Sequence, residues 1–155
     1  MRVRVIAVGT RMPSWVRSAC DEYLGRLRGS LAVALTEIEP ASRRTHDAPQ
    51  AIAREGERLL GALLPADHVI ALDERGRELT TRELDAWLGG RMQQGEDLAF
   101  LIGGPDGLAP GVLARSSFTL ALSRLTLPHA LARLLLVEQL YRAHCILANH
   151  PYHRD

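Results

Sequence analysis

Asp97-Leu98-Ala99-Phe100-Leu101-Ile102 runs directly into Gly103-Gly104-Pro105-Asp106-Gly107-Leu108-Ala109-Pro110-Gly111. The first six residues are apolar after the leading acid and show no alternation. That pattern predicts a short strand covered on both faces, the environment of a parallel sheet packed between helices. The nine residues that follow hold four glycines and two prolines. Such a loop turns sharply, adopts left-handed backbone angles and lets a ligand approach the main chain. It is neither a Walker A loop, since no Gly-Lys-Ser/Thr follows, nor a GxGxxG turn.

The same grammar repeats outward from this stretch. Val3 to Val8 (VRVIAV), Leu31 to Ile38, His68 to Leu72 (HVIAL) and Phe118 to Leu122 read as further strands. Between them lie helical patterns. The first starts at Pro13, the second spans Ala48 to Leu64, the third follows the capping-box pattern Thr80-Thr81-Arg82-Glu83, and the last runs from Pro128 to Ala148. Alternating strands and helices predict an α/β fold with a mostly parallel sheet flanked by helices, in a single domain over residues 1–155. Ligands of such sheets sit beyond the carboxyl ends of the strands. The loops after Leu72, Ile102 and Leu122 therefore become the candidate site. Residues 40–47 (PASRRTHD) are polar and turn-rich and are expected to form a mobile loop.

Composition narrows the class. Hydrophobic residues make up 46% and charged residues 24% of 155, the profile of a soluble globular protein. No apolar run reaches membrane-spanning length, and the start has neither the core nor the cleavage site of a signal peptide. Two distant cysteines, Cys20 and Cys145, argue against a disulfide framework and for a cytoplasmic location. The net charge of +1 conceals a pattern: residues 1–50 carry eight Arg and five acids, 51–110 six and eleven, 111–155 five and two. Basic ends around an acidic middle suit a nucleic-acid partner met through local patches, with Arg2, Arg4, Arg11, Arg17, Arg43 and Arg44 as candidate contacts.

The last helix is apolar nearly all round, through Leu131, Leu134, Leu135, Leu136, Val137, Leu140, Tyr141, Ile146 and Leu147. It needs burial on two sides, and a second copy of the chain is the natural cover for the side away from the sheet. Arg133, Glu138 and Arg142 interrupt it; Glu138 and Arg142 sit one turn apart and could pair, and a stripe open to solvent is the other reading. Two readings of the tail Asn149-His150-Pro151-Tyr152-His153-Arg154-Asp155 stay open: a chemically active end, or a His-rich terminus with no task. His150 and His153 make a poor metal signature because the cysteines are remote, so no metal site is expected.

Four motifs in register, IGGPDG (102–107), LTLPH (125–129), VEQLYRA (137–143) and NHPYHR (149–154), together with the start from Ile6 to Val16, resemble the ribosomal RNA large subunit methyltransferase H family of the SPOUT methyltransferases. The resemblance covers essentially the whole chain. It implies a SPOUT-type sheet with a C-terminal trefoil knot, a homodimer, and S-adenosyl-L-methionine as cofactor. It also implies methylation of N3 of a pseudouridine in helix 69 of 23S rRNA within the assembled 70S ribosome. Carried onto this sequence, the cofactor-binding residues are Leu72, Gly103, Leu122, Ser123, Arg124, Leu125, Thr126 and Leu127, and the catalytic side is Arg142, Tyr152 and His153. Arg124 is expected to point to solvent or RNA, since a cation facing a sulfonium would be repelled. His153 is the expected base, with its ordinary pKa near 6.5, and His129 is expected to be a structural or dimer-contact histidine. The alternative is a non-catalytic RNA- or ribosome-binding factor on the same fold.

Overall fold

The computed structural model describes residues 1–27, 29 and 31–153, with only the backbone of His153. Five strands form one sheet: β1 (Arg2–Val8), β2 (Ala32–Ile38), β3 (His68–Glu78), β4 (Leu98–Ile102) and β5 (Phe118–Ala121). The order is β2-β1-β4-β3-β5 and every pairing is parallel. The helices are α1 (Ser14–Arg26), α2 (Ala48–Gly61), α3 (Thr81–Gln93), α4 (Pro110–Arg115) and α5 (His129–Leu147), and a 3-10 turn follows at Pro151–His153.

Strand alternation divides the core into two layers. Val3, Val5, Ala7, Ile70, Leu98, Phe100 and Ile102 face one side, where Leu84 and Leu88 of α3 and Leu136, Leu140 and Tyr141 of α5 cover them. Ile6, Val8, Val69, Ala71, Ala99 and Leu101 face the other, under Leu59 of α2 and Val112 of α4. All five residues of β4 are buried, as the unbroken apolar run requires. Both long capped helices start where the sequence chemistry says. The Asp47 side chain accepts from Gln50 N–H at 2.9 Å, and Thr80 Oγ1 accepts from Glu83 N–H at 3.1 Å while Glu83 accepts from Thr80 N–H at 2.7 Å.

Three expectations change. The third strand does not end at Leu72: its register with β5 shifts between Leu72 and Arg77, and Arg77 and Glu78 pair again with Leu120 and Ala121. The intervening residues are polar and carry no apolar signal, because the pairing uses backbone groups at the sheet edge. Nor is the face of α5 left to a second copy alone. The helix packs against both α1 and α3, so much of the second-side burial comes from within the chain, while Leu135 and Leu147 stay exposed. Finally, Arg133 is not part of a solvated stripe. It is 1% exposed; its Nη1 donates to Glu37 Oε2 at 2.6 Å, and its Nη2 donates to Gly9 O at 3.0 Å and approaches Val8 O at 3.4 Å. The guanidinium thus fastens the first turn and a half of α5 to the ends of β1 and β2.

Removing a buried cation that satisfies two strand-end carbonyls leaves those acceptors, and Glu37, without a partner. Arg133→Met is expected to lower stability by about 3 kcal/mol. Urea denaturation checks this, and a loss below roughly 1 kcal/mol would mean the pair contributes no more than a surface ion pair.

Candidate active site

The three loops singled out by sequence meet at one end of the sheet. They enclose a cavity of about 860 Å³ whose walls include Leu72 to Arg75 after the first part of β3, Ile102 to Leu108 after β4, and Leu122, Ser123 and Leu125 to Pro128 after β5. His129 and Ala132 of α5 complete it. The volume is that of a small-molecule site.

The floor is glycine by necessity. A Cβ on Gly103 would stand 2.5 Å from Gly107 O and 2.7 Å from its carbonyl carbon, which is backbone and cannot yield. Gly107 has φ +87°, a left-handed angle, and its N–H closes the turn on Gly104 O at 3.1 Å. The opposite wall is laced to the bulge of β3. Thr126 Oγ1 donates to Glu74 Oε2 at 3.2 Å, Arg124 Nε donates to Glu78 Oε1 at 3.2 Å, and Leu125 N–H donates to Ser123 Oγ at 2.9 Å. Arg124 turns outward with its side chain 90% exposed and does not line the cavity; the other seven cofactor residues named from the sequence do.

Acidic groups gather on the rim: Asp73, Glu74 and Asp106. Arg75 holds the Asp73 carboxyl below the usual carboxylate range, through its guanidinium first and then its backbone N–H and charge, against opposing desolvation. His129 is the one imidazole lining the cavity among the described residues. Burial first, and then the neighbouring Arg133, push its pKa below the ordinary histidine value. At neutral pH it therefore offers a neutral ring that donates at one nitrogen and accepts at the other.

The expected catalytic residues lie elsewhere in the chain. Arg142 and Tyr152 do not line the cavity. Arg142 donates to Glu138 Oε1 from Nη2 at 2.7 Å and from Nε at 3.1 Å, the one-turn pair anticipated from spacing. Its guanidinium carbon lies 5.0 Å from the Tyr152 ring centroid. The Tyr152 hydroxyl donates to Glu138 Oε1 at 3.0 Å and lies 3.3 Å from that of Tyr23, and its ring packs on Tyr141 with centroids 4.6 Å apart. Burial, reinforced by Tyr23 and Glu138, raises the phenol pKa, so the Tyr152 hydroxyl stays protonated. The side chain of His153, and Arg154, lie outside the described residues.

Comparison with known proteins follows the geometry. A family model described as predicted SPOUT methyltransferase matches residues 1–153. This chain belongs to the SPOUT methyltransferase family. Proteins called ribosomal RNA large subunit methyltransferase H from Thiobacillus denitrificans and Bordetella pertussis are 49% and 50% identical to it, over 100% and 99% of both chains. A solved structure of a probable methyltransferase from Bordetella pertussis superposes with a TM-score of 0.60 at 21% identity, covering 92% of this chain and 93% of that one. A probable methylase family protein from Haemophilus influenzae gives 0.57 at 16%, covering 99% of this chain and 70% of that one. These two share the SPOUT methyltransferase fold.

Sequence reading missed what shapes this SPOUT cavity from behind. Glu55 is 2% exposed and its carboxylate accepts from Ala41 N–H at 3.0 Å and from the Arg43 guanidinium. Arg43, Arg2 and Arg4, all proposed as RNA contacts, are committed to carboxylates: Arg43 to Glu55 and Asp106, Arg2 to Asp97, Arg4 to Asp67. The loop expected to be mobile is therefore anchored at Arg43. A buried Glu seven residues into a helix and an Arg in a polar loop carry no joint signal in sequence. Among the described residues, no group of three or more His, Cys, Asp and Glu is placed to hold a metal ion, and no helix is long and apolar enough to cross a membrane.

Two outcomes test this geometry. Gly103→Ala is expected to cost about 1–3 kcal/mol of stability and to abolish ligand binding in the cavity, read by thermal unfolding and calorimetry. Asp73 has a depressed folded pKa, so its contribution is complete above the unfolded value near 3.9 and fades as pH falls through the folded one. Acid unfolding of Asp73→Asn should accordingly show a shallower pH dependence below about pH 4 than the parent chain.

Proposed function

We propose that this protein is an S-adenosyl-L-methionine-dependent methyltransferase of 23S rRNA, acting on N3 of a pseudouridine in helix 69 within the assembled ribosome. The reading rests on the cavity: the loops that the family uses for its cofactor converge on it, and their chemistry fits. Gly103 leaves the backbone bare where a ligand must approach closely, Leu72, Leu122, Leu125 and Leu127 provide apolar wall for an adenine ring, and Asp73, Glu74 and Asp106 suit a ligand bearing ammonium and sulfonium charges. The bound cofactor supplies an electrophilic methyl group.

The chain's own task is then to place the imide nitrogen in line with that methyl and to manage the imide proton. His153 takes that proton in this reading, as the general base. Arg142 stabilises charge on the flanking carbonyl oxygen, and Tyr152 presents its ring and protonated hydroxyl to the base. His129, neutral and at the cavity wall, accepts or donates a hydrogen bond that orients the substrate.

This division of labour calls for two chains. Arg142 stands thirteen residues beyond His129 on α5, about 20 Å along the axis at roughly 1.5 Å per residue. A tail that serves chemistry must therefore reach the cavity of a second copy, which supports a homodimer with a composite site. The knot belongs to the same reading: the segment after β5 lines the cavity before α5 settles against α1 and α3, a course that a threaded C-terminus would follow. A cytoplasmic location follows from a ribosomal substrate.

His153→Ala should lower turnover by about 100-fold or more while the calorimetric Kd for S-adenosylmethionine changes little; equal losses in both would assign the tail to binding. Mass mapping of 23S rRNA from cells with and without the gene tests the target. An unchanged modification pattern would leave the non-catalytic binding factor as the better reading.

A further inference from the structure

We propose that Arg43 is a positioning residue for the cofactor cavity, acting through Asp106 and Glu55 on the Gly103–Gly107 loop; the proposal rests on the methyltransferase reading above. Arg43 sits in the polar segment 40–47, outside the cavity lining. Its guanidinium reaches two carboxylates from different parts of the chain. Toward α2 it donates to Glu55, through Nη1 and through Nη2 at 3.2 Å to Oε1. Toward the glycine loop it donates to Asp106 Oδ2, from Nη2 at 3.0 Å and from Nε at 3.2 Å. Nη1 also donates to Ala41 O at 3.0 Å, which fixes the fork.

The two carboxylates flank the loop. Glu55 lies directly beneath it, since a Cβ on Gly104 would stand 3.3 Å from Oε1 and 3.6 Å from Oε2. Asp106 lies at its tip and lines the cavity. The loop is otherwise closed by its own Gly104–Gly107 turn and carries three glycines, so little inside it resists movement. A planar fork that holds Glu55 on one side and Asp106 on the other fixes the loop tip relative to α2. It also partly neutralises Asp106, which sets how much negative charge the cavity shows a cationic ligand.

The test uses the intact protein and S-adenosylmethionine as the probe. Arg43→Lys keeps a cation over the buried Glu55 but loses the fork, so the chain should unfold within a few degrees of the parent. Its calorimetric Kd and its KM for S-adenosylmethionine should rise about fivefold to tenfold, with kcat on ribosomal RNA within about twofold. Asp106→Asn should weaken binding to a similar degree, and the double variant should bind no worse than the weaker single, because both remove one link. Arg43→Lys binding within about twofold of the parent, or a double variant showing the product of both effects, overturns the proposal. If Arg43→Lys does not fold, Arg43→Gln takes its place: affinity within about twofold of the parent overturns the proposal and a loss of about fivefold or more supports it. Failure of the parent chain itself to bind S-adenosylmethionine sinks the methyltransferase reading instead, which the parent titration reveals before any variant is compared.

Discussion

A buried guanidinium holds this molecule's two halves in register. Arg133 enters the sheet end with two partners, the Glu37 carboxylate at the end of β2 and the carbonyl of Gly9 just beyond β1. Burying a cation is costly, and it is tolerable only where the pairing and hydrogen bonding are nearly complete. Here Nη1 and Nη2 are met by groups at the carboxyl end of the parallel sheet, while the buried Nε finds no hydrogen-bond partner. The consequence is positional. With Arg133 fixed, His129 one turn earlier must lie beside Gly9 and at the cavity wall, and the segment from Leu122 to Pro128 must span from β5 to that point. The cavity wall is thus set by a contact outside it.

The same economy governs the other side. The strand order puts β4 at the centre, with β1 and β3 as its neighbours. All five of its residues are covered, so Gly103 emerges from the most constrained strand in the sheet. A flexible loop rooted on a rigid strand gives precision at its base and freedom at its tip. Glu55, Arg43 and Asp106 remove part of that freedom. Around the cavity Asp73 is held by Arg75, while Arg43 is shared between Asp106 and the buried Glu55, so the rim keeps both its shape and its acidic character.

Sequence carried the sheet and much of the cavity because both are written in local chemistry. Strands buried on two faces read as continuous apolar runs, and the Thr80 and Asp47 capping boxes mark helix starts by hydrogen-bonding pattern. Leu72, Gly103 and the loop from Leu122 to Leu127 could be placed together because parallel sheets gather such loops at one end. What stayed hidden depends on long-range pairing. Nothing near Arg133 in sequence announces Glu37, nor does anything near Arg43 announce Glu55 and Asp106. The continuation of β3 through Arg77 and Glu78 was invisible because backbone groups make that pairing while polar side chains face water.

The placement of Arg142 and Tyr152 outside the cavity lining is the most consequential of these hidden facts. In isolation the chain places Tyr152 in an aromatic cluster with Tyr23 and Tyr141, its hydroxyl engaged by Glu138 and its face covered by Arg142. Those contacts are not those of a slack terminus. They hold Tyr152 against α1 and α5, outside the cavity lining of its own chain. On the proposed methyltransferase reading, a second copy would complete the site that Tyr152 and Arg142 do not line in their own chain. Leu135 and Leu147 on the same helix leave apolar surface for such a contact, although α1 and α3 already cover much of α5. Dimerisation and catalysis would then be selected together, since the surface that pairs the chains would also deliver the imidazole to the methyl group.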